Sequence, residues 1–141
     1  MKLIVLAFTL VSIGSTPAFA SDKVSESCTG SETVQVGGQA PKTLPYSITF
    51  SADLSTKSYC YDKCGPGQTY PISDVTSEPI KLADLDAGGQ TRRLIYDRNR
   101  SVLTDYQIIA LGPIRVVRNA SARCKAAKFQ QPWTDPKSEP R

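Results

Sequence analysis

Between Leu44 and Ala52 the chain alternates strictly. Leu44, Tyr46, Ile48, Phe50 and Ala52 are apolar, and Pro45, Ser47, Thr49 and Ser51 stand between them. Five apolar positions at period two predict a strand with one buried face. The pattern then repeats in shorter pieces. Lys57–Asp62 carries Tyr59 and Tyr61 on one face and Cys60 on the other, and Tyr70–Val75 is a short strand. Glu78–Ala83 follows with Ile80 and Leu82 inward, and Asp84-Leu85-Asp86-Ala87-Gly88-Gly89 reads as a hairpin loop. Thr91–Asp97 is rich in strand formers, and Arg98-Asn99-Arg100-Ser101 is a turn. Val102–Ala110 alternates again, Gly112-Pro113 breaks it, and Ile114–Arg118 is β-branched, a strand with the option of running on to Cys124. Seven or eight short strands, spaced by turn signals, are an all-β signature. Short connections join antiparallel neighbours, so the expected fold is an antiparallel meander closing into a small barrel or a sandwich. Ala, Lys and Arg in Ser121–Phe129 favour one or two helical turns at the end of it.

The start of the chain has another character. Met1-Lys2 is followed by the apolar run Leu3–Gly14 and then by Ala18-Phe19-Ala20. A basic start, a short apolar run and a small-x-small triplet predict a signal peptide over 1–20, cleaved after Ala20. The run is too short to span a membrane, and export to a periplasm or the medium is expected. The domain reading is a signal peptide at 1–20, a flexible polar arm at 21–43, one β domain at 44–129 and a disordered Pro-rich tail at 130–141.

Cysteine usage fits export. All four cysteines, Cys28, Cys60, Cys64 and Cys124, follow the leader. An even number in an exported chain predicts disulfides, with three connectivities open. Cys60 and Cys64 bracket a turn beside Gly65-Pro66-Gly67, which favours pairing them and leaves Cys28 for Cys124. A redox pair or a four-cysteine zinc site are the alternatives, but C-x3-C before Gly-Pro suits neither.

The chain contains no histidine. That excludes the Ser-His-Asp triad, the Cys-His dyad and any His-ligated metal site. G-x-S-x-G and S-x-x-K are also missing from the sequence. Asp53, Asp62, Asp74, Asp97 and Asp105 fall at or near turns, where Asp bonds its own backbone. Asp84-x-Asp86-x-Gly88 suggests calcium, yet the twelfth residue from Asp84 is Ile95 where a carboxylate is needed, so a polar turn is the plainer reading. No enzyme activity and no cofactor is expected, a small carboxylate-based hydrolase ranking third among the functions considered.

Charge is unevenly placed. Residues 21–89 hold 5 basic and 9 acidic groups, net −4, and residues 90–141 hold 11 basic and 4 acidic groups, net +7. Arg92, Arg93, Arg98, Arg100, Arg115 and Arg118 form a candidate anion-binding set, for an anionic glycan, a lipid head group or an acidic protein. The opposing reading is a solvated surface whose charges pair with the acidic half. Nucleic acid is not expected, since aromatics are not interleaved with the basic residues.

The segments ITFSADLSTKSYC, YPISDVTSEPIKLAD, RLIYDRNRSVLTD and RCKAAKF resemble a loose set of small exported all-β proteins of alphaproteobacteria. That resemblance implies an exported, disulfide-stapled β domain and brings no activity with it. The set usually has Gly after its Asp-Arg turn, where this chain has Ser101, and often Trp before its first C-x3-C cysteine, where this chain has Tyr59. A weaker likeness is to the bacterial inhibitors of C-type lysozyme, exported barrels of similar size. It implies a second function, inhibition of a secreted hydrolase, but their inhibitory loop, a Ser-Gly pair followed closely by Tyr or a similar residue, has no counterpart in this chain. The leading expectation is an exported, non-catalytic binding or envelope-associated module for an anionic partner.

Overall fold

The computed structural model describes residues 21–134; residues 1–20, where a signal peptide is expected, and residues 135–141 of the expected tail lie outside them. Eight antiparallel strands run in chain order: β1 Lys23–Val36, β2 Lys42–Asp53, β3 Ser58–Tyr61, β4 Thr69–Pro71, β5 Ile80–Ala87, β6 Gln90–Asp97, β7 Val102–Leu111 and β8 Ile114–Ala126. Within the sheet their order is β4-β3-β2-β1-β8-β7-β6-β5. β1 to β4 pair in chain order, β5 to β8 do the same, and β8 returns to pair with β1. The two outer edges, β4 and β5, are brought together by the segment after β4. Ser73 N donates to Leu82 O (3.2 Å), and Asp74 and Lys81 exchange both backbone bonds (3.1 and 3.3 Å). The outcome is a nearly closed barrel-like sheet, the first of the two architectures that the short connections allow.

Turn chemistry explains the hairpins. Gly88 (φ 61°) and Gly89 (φ 75°) form the two-residue β5–β6 turn, a conformation that needs positive φ at both places. Strands β5 and β6 consequently run right up to it, so Asp84 and Asp86 lie on β5 and not in the loop expected over 84–89. Ser101 takes φ 51° in the β6–β7 turn, a left-handed backbone that favours glycine.

Three expectations are corrected. The flexible arm over 21–43 is mostly β1, the longest strand. It shows no apolar alternation because its inward positions include Glu26, Gly30 and Glu32 and its outward ones are Ser and Thr with Lys23 and Gln35 at the ends. Pairing supplies what side chains do not, since β1 is hydrogen-bonded to β2 on one side and β8 on the other. The helical turns expected over Ser121–Phe129 are absent, because β8 continues to Ala126 between β1 and β7 and the tertiary ladder outweighs a weak propensity. The tail expected to be disordered from residue 130 is placed as far as Thr134. It crosses the outer face of β1–β3, where Gln130 N donates to Ser51 Oγ (3.1 Å) and Gln131 Nε2 to Asp53 Oδ2 (3.1 Å). Further on, Trp133 N donates to Thr69 Oγ1 (3.1 Å) on β4, and Pro132 is fully buried. Ser51, Asp53 and Cys60 point outward by strand parity and are buried beneath this strap.

Cys28 is bonded to Cys124 and Cys60 to Cys64. The first bond joins directly opposed residues of β1 and β8, with Cα atoms 4.0 Å apart, and so ties together the strands at the two ends of the chain. Gly30 sits opposite Ala122 on the same strand pair. A Cβ there would run into the Ser121 carbonyl oxygen and come within 2.7 Å of Ala122 Cα, so only glycine permits this approach. The dry core fills one end of the barrel with Val24, Phe50, Ala52, Ile80, Leu82, Leu94, Tyr96, Leu103 and their neighbours. Phe50 meets Tyr96 edge-on, ring centroids 5.2 Å apart. No helix among the described residues is long and apolar enough to cross a membrane.

Candidate functional site

Above that core the lumen turns polar. On β7 the inward positions are Leu103, Asp105, Gln107 and Ile109, and on β6 they are Tyr96, Leu94, Arg92 and Gln90. Leu103 and Leu94 belong to the core, so period-two geometry forces Asp105 and Arg92 inward as well. Asp105 is only 3 % exposed. Arg92 Nε donates to its Oδ1 (3.3 Å), and Arg92 Nη2 (3.1 Å), Tyr46 Oη (3.0 Å) and Gln107 Nε2 (3.0 Å) all donate to its Oδ2. Four donors from β2, β6 and β7 thus satisfy one buried carboxylate, as a charge at this depth requires. One step around the lumen, Arg118 on β8 forks onto Glu32 on β1, Nε to Oε2 at 3.0 Å and Nη2 to Oε1 at 2.9 Å. Gln107 lies between the two arginines in register.

These surroundings move the titrating groups. Burial lowers the affinity of Arg92 for its proton, but the Asp105 carboxylate more than reverses this, so Arg92 stays charged beyond its ordinary range. Burial first, and Asp105 second, push the Tyr46 phenol well above its usual value. Burial pushes Tyr59 up to about 12.

Strands β3 and β4 are short, and beside them the wall opens into a cavity of about 460 Å³. Tyr59, Tyr61 and Tyr70 line one side of it, and Ala83, Leu85, Ile108 and Ile109 the other, with Arg92 and Gln107 between. Tyr61 and Tyr70 are stacked (5.2 Å between centroids), and Tyr59 leans on Tyr70 (5.6 Å). The Arg92 guanidinium lies over the Tyr61 ring at 5.8 Å. Asp105 uses two of its five N–H donors, and the guanidinium is still part of the cavity wall. A size within 300–1,000 Å³, a mostly apolar lining and a few fixed polar groups are the marks of a small-molecule site. A second groove of about 450 Å³, between Lys23, Tyr96 and Phe129 at the other end, is more open to solvent.

The six arginines of the candidate anion-binding set do not converge. Arg92 and Arg118 face the lumen, paired with Asp105 and Glu32. Arg93 pairs with Asp84 (3.4 Å), Arg98 with Glu78 (3.2 Å) and Arg100 with Asp97 (3.7 Å). Arg115 alone of the six has no ion pair among the described residues. Three of these five pairs, to Asp84, Glu78 and Glu32, set acids of the first half against bases of the second, while Asp105 and Asp97 come from the basic half itself.

Of the aspartates read as turn residues, Asp53 and Asp74 cap turns by accepting from the backbone and side chains of Ser55, Thr56, Thr76 and Ser77. Asp97 accepts from Arg100 N (3.0 Å). Asp105 does not belong with them, because it is in mid-strand at the centre of the polar lumen. The sequence reading missed it, and with it Tyr46, Gln107 and Glu32. Counting by twos from Leu103 and Leu94 is the signal that finds Asp105, Gln107 and Arg92. No protein-family model matches the chain, and no curated protein matches it.

Proposed function

We propose that the mature protein is an exported, non-catalytic binding module that takes a small planar, mostly apolar ligand carrying an acceptor group into the open side of its barrel. The observation that carries this is the cavity walled by Tyr59, Tyr61, Tyr70 and the Arg92 guanidinium. Stacked aromatics offer a flat apolar wall, and an arginine with donors to spare offers one anchor for a carboxylate or carbonyl. An anionic group on such a ligand is thus met by one half-buried arginine at the cavity wall. Asp105 supports a non-catalytic role, since both its oxygens are already held by fixed donors. Two disulfides and the leader-like start support export.

Naphthoate, a planar apolar carboxylate, is a suitable probe, followed by amide shifts in NMR. Binding should shift amides of β3, β4 and β6 around the cavity. Tyr70→Ser with Tyr61→Ser should weaken it about tenfold, the worth of one or two aromatic contacts. Naphthylmethylammonium, with the opposite charge, should bind more weakly than naphthoate. Absence of binding, or binding indifferent to both tyrosines, overturns the proposal.

A further inference from the structure

We propose that the open end of the barrel docks on an anionic lipid surface, with the β1–β2 and β7–β8 hairpins as the parts that enter it. The large apolar side chains left in water are concentrated at this end. Val36 and Leu44 flank the β1–β2 turn, and Leu111 and Ile114 flank the β7–β8 turn, 60 % and 48 % exposed respectively. The two hairpins are neighbours, since Val36 pairs with Val116 and Gly37 N donates to Arg115 O at 2.8 Å. Their apolar residues therefore form one patch.

The charges around this patch select its partner. Residues 36–44 and 109–118 contain Lys42, Arg115 and Arg118 and no Asp or Glu. Arg118 is turned inward onto Glu32, which leaves Lys42 and Arg115 exposed and without an ion pair among the described residues. Both stand just behind uncharged tips, Gly37–Pro41 and Gly112-Pro113. Aliphatic tips with basic residues immediately behind them match the layering of a membrane interface, where acyl chains lie beneath anionic head groups. A protein-binding patch would be expected to add aromatic anchors and a polar rim of both signs, and residues 36–44 and 109–118 have no aromatic residue. The third hairpin at this end, β5–β6, adds Leu85 but also Asp84 and Asp86, which places the docking edge on the first two.

Flotation of the mature protein with vesicles of phosphatidylcholine alone, or mixed with phosphatidylglycerol, tests this without any cavity ligand. The protein should float with the mixed vesicles at low salt, much less with the neutral ones, and less as salt rises. Leu111→Asp with Ile114→Asp should abolish flotation, and Lys42→Ser with Arg115→Ser should weaken it about tenfold or more. Because these positions are exposed, the thermal midpoint of each variant should stay at that of the parent. Failure to float with the mixed vesicles, or flotation unchanged in the Leu111/Ile114 variant, overturns the inference. So does a dimer in sedimentation that the same variant disrupts while vesicles are ignored, because the patch would then serve a second copy of the chain. Naphthoate binding is read separately, so failure of the cavity proposal leaves this one standing.

Discussion

Asp105 is the residue on which the open half of the barrel turns. It is a buried carboxylate held by Arg92, Tyr46 and Gln107. Removing one partner of such a pair leaves the other charge buried and unpaired, at a cost of about 3–5 kcal/mol, whereas replacing both with apolar groups costs much less. Arg92→Met, which leaves the buried Asp105 carboxylate without its charged partner, should therefore be strongly destabilising in urea unfolding, and adding Asp105→Leu should recover most of the loss. Alkaline pH tests the tyrosines. In the unfolded chain they titrate near 10, but in the fold burial raises Tyr59 to about 12, and burial with the Glu26 bond raises Tyr96 further. Above pH 10 the unfolded chain thus binds fewer protons than the folded one, and stability falls as pH rises. Each such tyrosine contributes a slope of about 1.4 kcal/mol per pH unit between its two values. Urea midpoints should be insensitive to this effect below about pH 9, and Tyr59→Phe should reduce the fall between about pH 10 and 12.

Among the elements, β1 explains most about why the barrel closes. It carries few apolar residues and is held by its ladders to β2 and β8, the Cys28 bond and the close approach at Gly30. Gly30→Ala puts a methyl group against the β8 backbone, which cannot rotate out of the way as a side chain can. Overpacking of this kind costs about 1–3 kcal/mol, and the thermal midpoint should drop by several degrees. Alanine at Gly38, where a Cβ meets nothing within 4 Å and φ is not positive, should leave the midpoint almost unchanged. A strand like β1 is hard to read in a sequence because its inward face meets a polar lumen for half its length. Strand β2, running beside it with Phe50 and Ala52 in the dry end, is legible at once.

For the molecule as a whole, the two disulfides differ in what they restrain. Cys28 and Cys124 are 96 residues apart, Cys60 and Cys64 only 4. In the chain-entropy model the long loop is worth about 4.7 kcal/mol and the short one about 2. Cys28→Ala with Cys124→Ala should therefore lower the urea midpoint more than Cys60→Ala with Cys64→Ala. The all-β class, a hairpin reversing somewhere within 84–89 and the inward faces of Leu44–Ala52 and Ile80–Leu82 were legible in the sequence. Those features rest on local turn conformations and on period-two burial against apolar neighbours, and both are written within a few residues. The cysteine pairing was legible to a lesser degree, from count and turn context. Only the tertiary structure decided that Arg92, Asp105, Glu32 and Arg118 would be lumen residues and not surface charge. Counting by twos from apolar neighbours puts a polar side chain on the inward face, but does not say whether that face will enclose a polar lumen or stay open to water. That depends on the register of partners from β1, β2 and β8, far away in the chain. It likewise decided that Arg93, Arg98 and Arg118 of the basic half would pair with Asp84, Glu78 and Glu32 of the acidic half, the last of these because β8 returns to lie beside β1.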